Sequence, residues 1–157
     1  MTKRFPRTAG GTARELMREW EVVLPGGMHA RAAAGLLDAV GVDVAPVVGS
    51  SGRCVGVFSA RDYRRALNRA RDVGAGGPIL FPARPAGEVR DHMTRRFAAA
   101  GLEAGADELL HHLDRAAAPY LVVLDRQRRP RGVVCGLDVL TAGASRARVR
   151  AAVARAD

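Results

Sequence analysis

The sequence predicts an α+β fold built from two β-α-β-β-α units. A shift of 76 residues pairs Met17 with Met93 and Asp62 with Asp138 without a gap (93 − 17 = 76). Each half also alternates short β-rich runs with helical stretches. A fixed period of this length is typical of a duplicated structural unit. Other identical pairs at the same offset are Arg14/Arg90, Leu37/Leu113, Asp38/Asp114, Val47/Val123, Arg53/Arg129, Gly56/Gly132 and Val57/Val133.

The first repeat, expected over residues 12–71, holds every element of this plan. Thr12 caps a short helix, and an apolar strand over 22–24 ends at a Pro-Gly-Gly turn. Ala and Leu then recur at helical spacing over 28–40, and Gly41 ends that helix. A hairpin and a second helix complete the unit, with expected bounds 44–48 and 54–58 for the strands and 59–69 for the helix.

The second repeat, expected over residues 88–144, follows a linker over 72–87 that is rich in Gly and Pro. Its expected elements are a strand at 97–100, a helix at 107–115, hairpin strands at 120–124 and 132–135, and a helix from 138. Two basic segments flank the repeats, a flexible arm over 1–11 and a closing helix over 145–157.

Composition narrows the class of protein. The 157 residues carry a net charge of +9, and Lys3 is the only lysine among 25 basic residues. Arginine suits an anionic partner, but biased coding composition explains the same excess, so charge alone does not establish nucleic-acid binding.

Cys54 and Cys135 are too few for a disulfide framework. With no signal peptide and no apolar run near ~20 residues, a cytoplasmic protein without a membrane segment is expected.

The sharpest local pattern is a strand that runs into a helix start and occurs in both repeats. Residues 56–62 read Gly-Val-Phe-Ser-Ala-Arg-Asp, and residues 132–138 read Gly-Val-Val-Cys-Gly-Leu-Asp. Both resemble the signature of cystathionine-β-synthase-type (CBS) domains. Residues 12–17 and 88–93 resemble the opening helix of that family, and residues 45–48 resemble its first hairpin strand. The resemblance covers about residues 12–142.

This resemblance implies a stand-alone CBS pair, with its two units packed sheet to sheet about a pseudo-twofold axis. It implies a regulatory module without catalysis that binds an adenosine-type ligand in the cleft between the units. The ligands implied are AMP, ADP, ATP, S-adenosylmethionine, NAD-type molecules and signalling dinucleotides. A homodimer and an unidentified regulated protein are the partners it implies, and no cofactor is required.

The first motif contains the expected binding residues. A helix start stabilises phosphate, so Ser59 is expected to donate to a phosphate oxygen and Arg61 to balance its charge. Asp62 is expected to accept from the ribose hydroxyls, while Val44 and Phe58 offer apolar surface to the base. Ser59-x-x-Asp62 is also close to a capping box, whose role is to begin a helix, and both interpretations stay open.

The second motif departs from the family pattern. Cys135 stands at the Ser/Thr position, where a thiol is a poor donor and a poor cap. Tyr120 and Val122 replace Val44 and Pro46 of the first repeat. Asp138 keeps a ribose acceptor available, so the second site is expected to be altered, weaker or empty.

Two other functions remain open. Arg4, Arg7, the basic run over 126–131 and the C-terminal arginines fit an adaptor for nucleic acid or an acidic protein, with the CBS pair as a dimerisation scaffold. Cys54 or Cys135 would serve a thiol enzyme or redox switch. No metal site is expected, because His111 and His112 are adjacent and would point in different directions on a helix.

Overall fold

The structure, a computed structural model, describes residues 11–74 and 87–143. The chain forms two compact units. The central unit is Glu21–Arg96, and the terminal unit combines Met1–Trp20 with Phe97–Asp157. Among the described residues, each unit contains one three-stranded sheet with helices, which confirms the predicted α+β class.

The elements follow the predicted order. In chain order they are α1 (Ala13–Leu16), β1 (Leu24–Pro25), α2 (Ala30–Val40), β2 (Val44–Val48), β3 (Cys54–Ser59), α3 (Ala60–Gly74), α4 (Val89–His92), β4 (Ala99–Gly101), α5 (Ala106–Ala116), β5 (Tyr120–Leu124) and β6 (Pro130–Cys135). Residues 136–143 are also helical. The helix α2, the hairpin β2–β3 and their counterparts in the second repeat keep the 76-residue offset at both ends (106 − 30 = 76; 135 − 59 = 76).

Some expected bounds shift. The helix α2 begins at Ala30 rather than Met28, because Met28 closes a turn by donating its N–H to the Pro25 carbonyl at 3.1 Å. The helix α3 continues to Gly74, into the stretch expected as linker. The rest of that linker, the arm over residues 1–10 and the expected closing helix over 145–157 lie outside the described residues.

Both sheets share one topology. The first strand is parallel to the second, and the second is antiparallel to the third. Both hairpins also change register at the equivalent point, between Val47 and Val48 in the central unit and between Val123 and Leu124 in the terminal unit. The duplication therefore extends to the backbone irregularities.

Each unit buries its own apolar cluster of mostly small side chains. In the central unit the cluster is Leu24, Ala30, Ala33, Ala34, Leu37, Ala45, Val47, Phe58, Ala60, Tyr63 and Val89. In the terminal unit it is Ala13, Ala100, Ala104, Ala106, Leu109, Leu113, Leu121, Val123, Val134 and Val139. Small side chains on these faces allow each helix to pack closely against its sheet.

The opening segments of the two repeats are exchanged between the units. Arg18 of the first repeat forms paired backbone hydrogen bonds with Val133 of the second, each 2.9 Å long. Thr94 of the second repeat pairs with Val57 of the first at 2.8 and 3.0 Å. Each compact unit therefore takes its opening segment from the other repeat. The repeat boundaries at 12–71 and 88–144 remain a prediction about the sequence.

The motif glycines make this exchange possible. A Cβ atom at Gly56 would lie 2.7 Å from the sulfur of Met93 and 2.9 Å from the carbonyl oxygen of Thr94. A Cβ atom at Gly132 would lie 2.7 Å from both the sulfur of Met17 and the carbonyl oxygen of Arg18. Any side chain at these positions would push the opening segment away from the strand.

Replacing Gly56 should therefore be costly. We expect Gly56→Ala to lower the free energy of unfolding by about 1–3 kcal/mol, because the added methyl group meets backbone as well as a flexible side chain. The matched control is Gly101→Ala, where a Cβ would have no atom within 4 Å. Thermal unfolding measures both, at about 2–4 °C per kcal/mol for a chain of this size. Equal stability of the two variants would contradict the argument.

The residues that end α2 and α5 provide a second test. Gly41 and Ala117 both adopt left-handed backbone, with φ of 82° and 47°. This conformation is strained for alanine and unstrained for glycine. We expect Ala117→Gly to raise the free energy of unfolding by roughly 0.5–1 kcal/mol and Gly41→Ala to lower it by a similar amount. Chemical denaturation measures both, and changes of the same sign would exclude this explanation.

Candidate functional site

At the junction of β3 and α3 in the central unit, the first backbone N–H groups of the helix donate to acceptors within the protein. The N–H of Ala60 donates to the Asp43 carbonyl at 2.9 Å, and the N–H of Arg61 donates to Asp43 Oδ1 at 3.0 Å. The N–H of Asp62 donates to Ser59 Oγ at 3.2 Å. The first three N–H groups of α3, which the sequence analysis expected to hold phosphate, therefore already have acceptors.

Asp43 organises this junction, and the sequence analysis missed it. Besides its bonds to Ala60 and Arg61, its Oδ2 accepts the Ser59 hydroxyl at 3.3 Å. Asp43 precedes β2, whose first residue, Val44, is the register partner of Ser59. The hairpin register therefore carries Asp43 to the start of α3. The only sequence signal was the 76-residue offset, which places Pro119 where the first repeat has Asp43.

Ser59 forms the helix cap that the sequence left open as one alternative. Its oxygen accepts from Asp62 N–H, and its single hydroxyl proton goes to Asp43.

Asp62 and Arg61 are exposed on the first turn of α3. The Asp62 side chain is 66% exposed, and its Oδ1 lies 3.8 Å from the guanidinium of Arg65. An ion pair this long and this exposed contributes little, so the carboxylate is available to the hydroxyl groups of a ligand.

Val44 and Phe58 differ in what they can offer a base. Val44 is half-buried at the start of β2. Phe58 is fully buried in the central core, with its ring 5.8 Å from that of Tyr63. The Phe58 ring fills a core made mostly of alanine and valine and presents no surface to solvent. A base would reach it only after this core rearranged, and the expected contact stays a prediction.

The second junction lacks the acceptors of the first. Gly136 N–H donates to the Pro119 carbonyl at 3.3 Å, as Ala60 does to Asp43, but proline supplies no carboxylate. Cys135 is half-buried at the position of Ser59, and Tyr120 is its register partner across the hairpin. Among the described residues, no side-chain oxygen caps this helix start.

Asp138 is engaged by a residue of the exchanged segment. Arg18 donates to Asp138 Oδ1 at 2.8 Å, and Oδ2 is buried without a hydrogen-bond partner in the described part of the chain. The Asp138 side chain is 26% exposed, against 66% for Asp62. The sequence analysis missed Arg18, although the offset places Thr94 at the same position in the other unit (94 − 18 = 76).

Other kinds of site find little support in the described residues. Within residues 11–74 and 87–143, no three His, Cys, Asp or Glu side chains are grouped to hold a metal ion. Cys54 is buried, and its thiol lies 3.4 Å from the Gly56 carbonyl. No helix in those ranges is long and apolar enough to cross a membrane.

Comparisons with known proteins agree with this architecture. Residues 13–69 match the family model of the CBS domain. The CBS domain pair of protein MJ0100, in complex with 5′-methylthioadenosine and S-adenosyl-L-methionine, is similar over 87% of this chain and 98% of its own, with TM-score 0.66 and 17% identity. No curated protein sequence matches.

Two structures of the CBS-pair protein CBSX2 from Arabidopsis thaliana are also similar. One covers 89% of this chain and 99% of its own, and the other, in complex with AMP, covers 87% and 98%. Both have TM-score 0.65 and 19% identity. At such identities the likeness establishes the fold. The chain thus has the fold of a tandem CBS domain pair.

The two caps provide a reciprocal test. We expect Ser59→Cys to lower the free energy of unfolding by about 1 kcal/mol, because a thiol replaces the oxygen that accepts Asp62 N–H. Cys135→Ser should act in the opposite direction, since it offers Asp138 N–H the acceptor that Ser59 gives Asp62. Denaturant unfolding measures both, and a Ser59→Cys protein as stable as wild type would contradict the capping role.

Proposed function

We propose that this protein is a regulatory module that binds an adenosine-containing ligand at the β3–α3 junction of the central unit. Asp62 accepts hydrogen bonds from the ribose hydroxyls, and Val44 contacts the base. Arg61 lies beside Asp62 on the exposed first turn of α3 and interacts with the polar end of the ligand. The proposal includes no catalytic step.

The observation that carries this proposal is the contrast between two equivalent aspartates. Asp62 is largely exposed at a capped helix start, whereas Arg18 holds Asp138. A carboxylate that accepts from both hydroxyls of a ribose must be free of a strong internal donor. Only Asp62 of the two meets that requirement. Solved relatives with the same fold bind 5′-methylthioadenosine, S-adenosyl-L-methionine or AMP, which supports the ligand class.

Ligand binding would be transmitted through α3. Arg64, on the turn after Asp62, forms an ion pair with Asp38 of α2, so a ligand at the start of α3 acts on a helix tied to its neighbour. A ligand shifts the equilibrium between two arrangements of these helices only by the difference between its affinities for the two. A homodimer and a regulated protein partner complete the proposed signalling route.

Asp62→Asn tests the site. We expect wild type to gain several degrees in melting temperature with adenosine, 5′-methylthioadenosine or S-adenosylmethionine at about 100 times the dissociation constant, which corresponds to about 2.7 kcal/mol. Asp62→Asn should weaken binding by at least about tenfold, because hydrogen bonds to a charged acceptor contribute roughly 1.5–3 kcal/mol. Isothermal titration calorimetry measures the dissociation constants.

Asp138→Asn is the matched control, since it makes the same change at the equivalent position of the other repeat. It should lower stability, because the ion pair with Arg18 loses its negative charge, and leave ligand affinity unchanged. Equal loss of affinity in both variants would contradict a site at Asp62. If no adenosine-type ligand binds to wild type, the proposed function is wrong.

The hairpin between β5 and β6 favours the adaptor as the second candidate function. Arg126, Arg128, Arg129 and Arg131 are all exposed there. Asp125 fixes the turn by accepting from the N–H groups of Gln127 and Arg129, both at 2.9 Å. This function would be supported instead if the chain bound an oligonucleotide with an affinity that falls steeply with salt concentration and is unchanged in Asp62→Asn.

A further inference from the structure

We propose that Asp43 excludes a 5′-phosphate from the candidate site. The ligand is then an adenosine derivative whose 5′ substituent is uncharged or cationic. This inference rests on the proposed function, because it names the ligand class of the same site.

The first argument is the supply of donors. A phosphate at a helix start is held by free backbone N–H groups and by hydroxyl donors. At this junction Arg61 N–H and the Ser59 hydroxyl both donate to the Asp43 carboxylate, at 3.0 and 3.3 Å. Asp62 N–H donates to Ser59 Oγ, and Ala60 N–H donates to the Asp43 carbonyl. A phosphate would have to displace Asp43 from these donors.

The second argument is charge. A phosphate placed against these donors would lie within a few ångströms of the Asp43 carboxylate, and like charges at that distance repel strongly. The side chain of Arg61 is exposed to solvent, and the other charges that make up the net +9 are screened beyond about 8–10 Å, whereas Asp43 contacts the donors directly. A neutral hydroxyl or thioether avoids the repulsion, and a sulfonium cation is attracted.

The two repeats show that this feature is local. Pro119 occupies the position of Asp43 in the second repeat, and it offers the following helix only a backbone carbonyl. The fold therefore forms the junction without a carboxylate. Asp43 is particular to the first repeat, and Ser59 links it to the backbone of the exposed Asp62.

Calorimetric titration of the full chain with adenosine, 5′-methylthioadenosine, S-adenosylmethionine and AMP tests this selection. We expect wild type to bind AMP at least about tenfold more weakly than adenosine or 5′-methylthioadenosine, a difference of about 1.4 kcal/mol. Asp43→Asn removes the charge and keeps an acceptor oxygen for Arg61 N–H. It should reduce the discrimination against AMP at least about fivefold, and it should weaken S-adenosylmethionine relative to adenosine.

Glu21→Gln is the control, since it makes the same change in net charge at another exposed position of the central unit. It should leave the ratio of AMP to adenosine affinities unchanged. The wild-type ratio alone decides the proposal if Asp43→Asn fails to fold.

The outcomes separate the two proposals. Wild type that binds AMP as tightly as adenosine, or an Asp43→Asn protein with the wild-type ratio, would overturn the selection and leave the adenosine site standing. Adenosine binding that is indifferent to Asp62→Asn, or no binding at all, would overturn both.

Discussion

The close approach of each opening segment to a motif glycine is the contact on which the other features depend. Thr94 pairs with Val57 and Arg18 pairs with Val133, and both pairs need the missing side chain of the glycine next along the strand. This pairing protects the outer edge of β3 and β6, which would otherwise expose unpaired backbone groups. The same strands run directly into the helix starts, so the contact also fixes where the candidate site lies.

The two junctions share this backbone but differ in the side chains at a few positions. Asp43 opposes Pro119, and Ser59 opposes Cys135. The exchanged segment adds a third difference, since it brings Thr94 to one unit and Arg18 to the other. One junction is capped, with an accessible carboxylate, and the other is uncapped among the described residues, with its carboxylate held by an arginine. The two copies share the fold, and of the two motif aspartates Asp62 is the accessible one.

The sequence predicted the elements well because their signals are local. Alanine and leucine at helical spacing defined α2, and turn residues separated the hairpin strands. The contacts of Asp43 and Arg18 were not predictable from local patterns, because hairpin register and a bond across 120 residues bring them to the helix starts. The 76-residue offset gave one indication of both residues, because it aligns Asp43 with Pro119 and Arg18 with Thr94. The burial of Phe58 was not predictable for a related reason: a motif shows which residues are adjacent but not which face of the strand is buried.

The exchange of opening segments also sets an order for folding during synthesis. The central unit is one continuous stretch of chain, so all its partners have been made once residue 96 has been added. The terminal unit is discontinuous, because Arg18 is made early while Val133 and Asp138 come near the end. Domains generally fold as units, amino-terminal parts first. Here the segment that contains Arg18 must wait for Val133 and Asp138, whereas the unit with the candidate site needs no residue beyond 96.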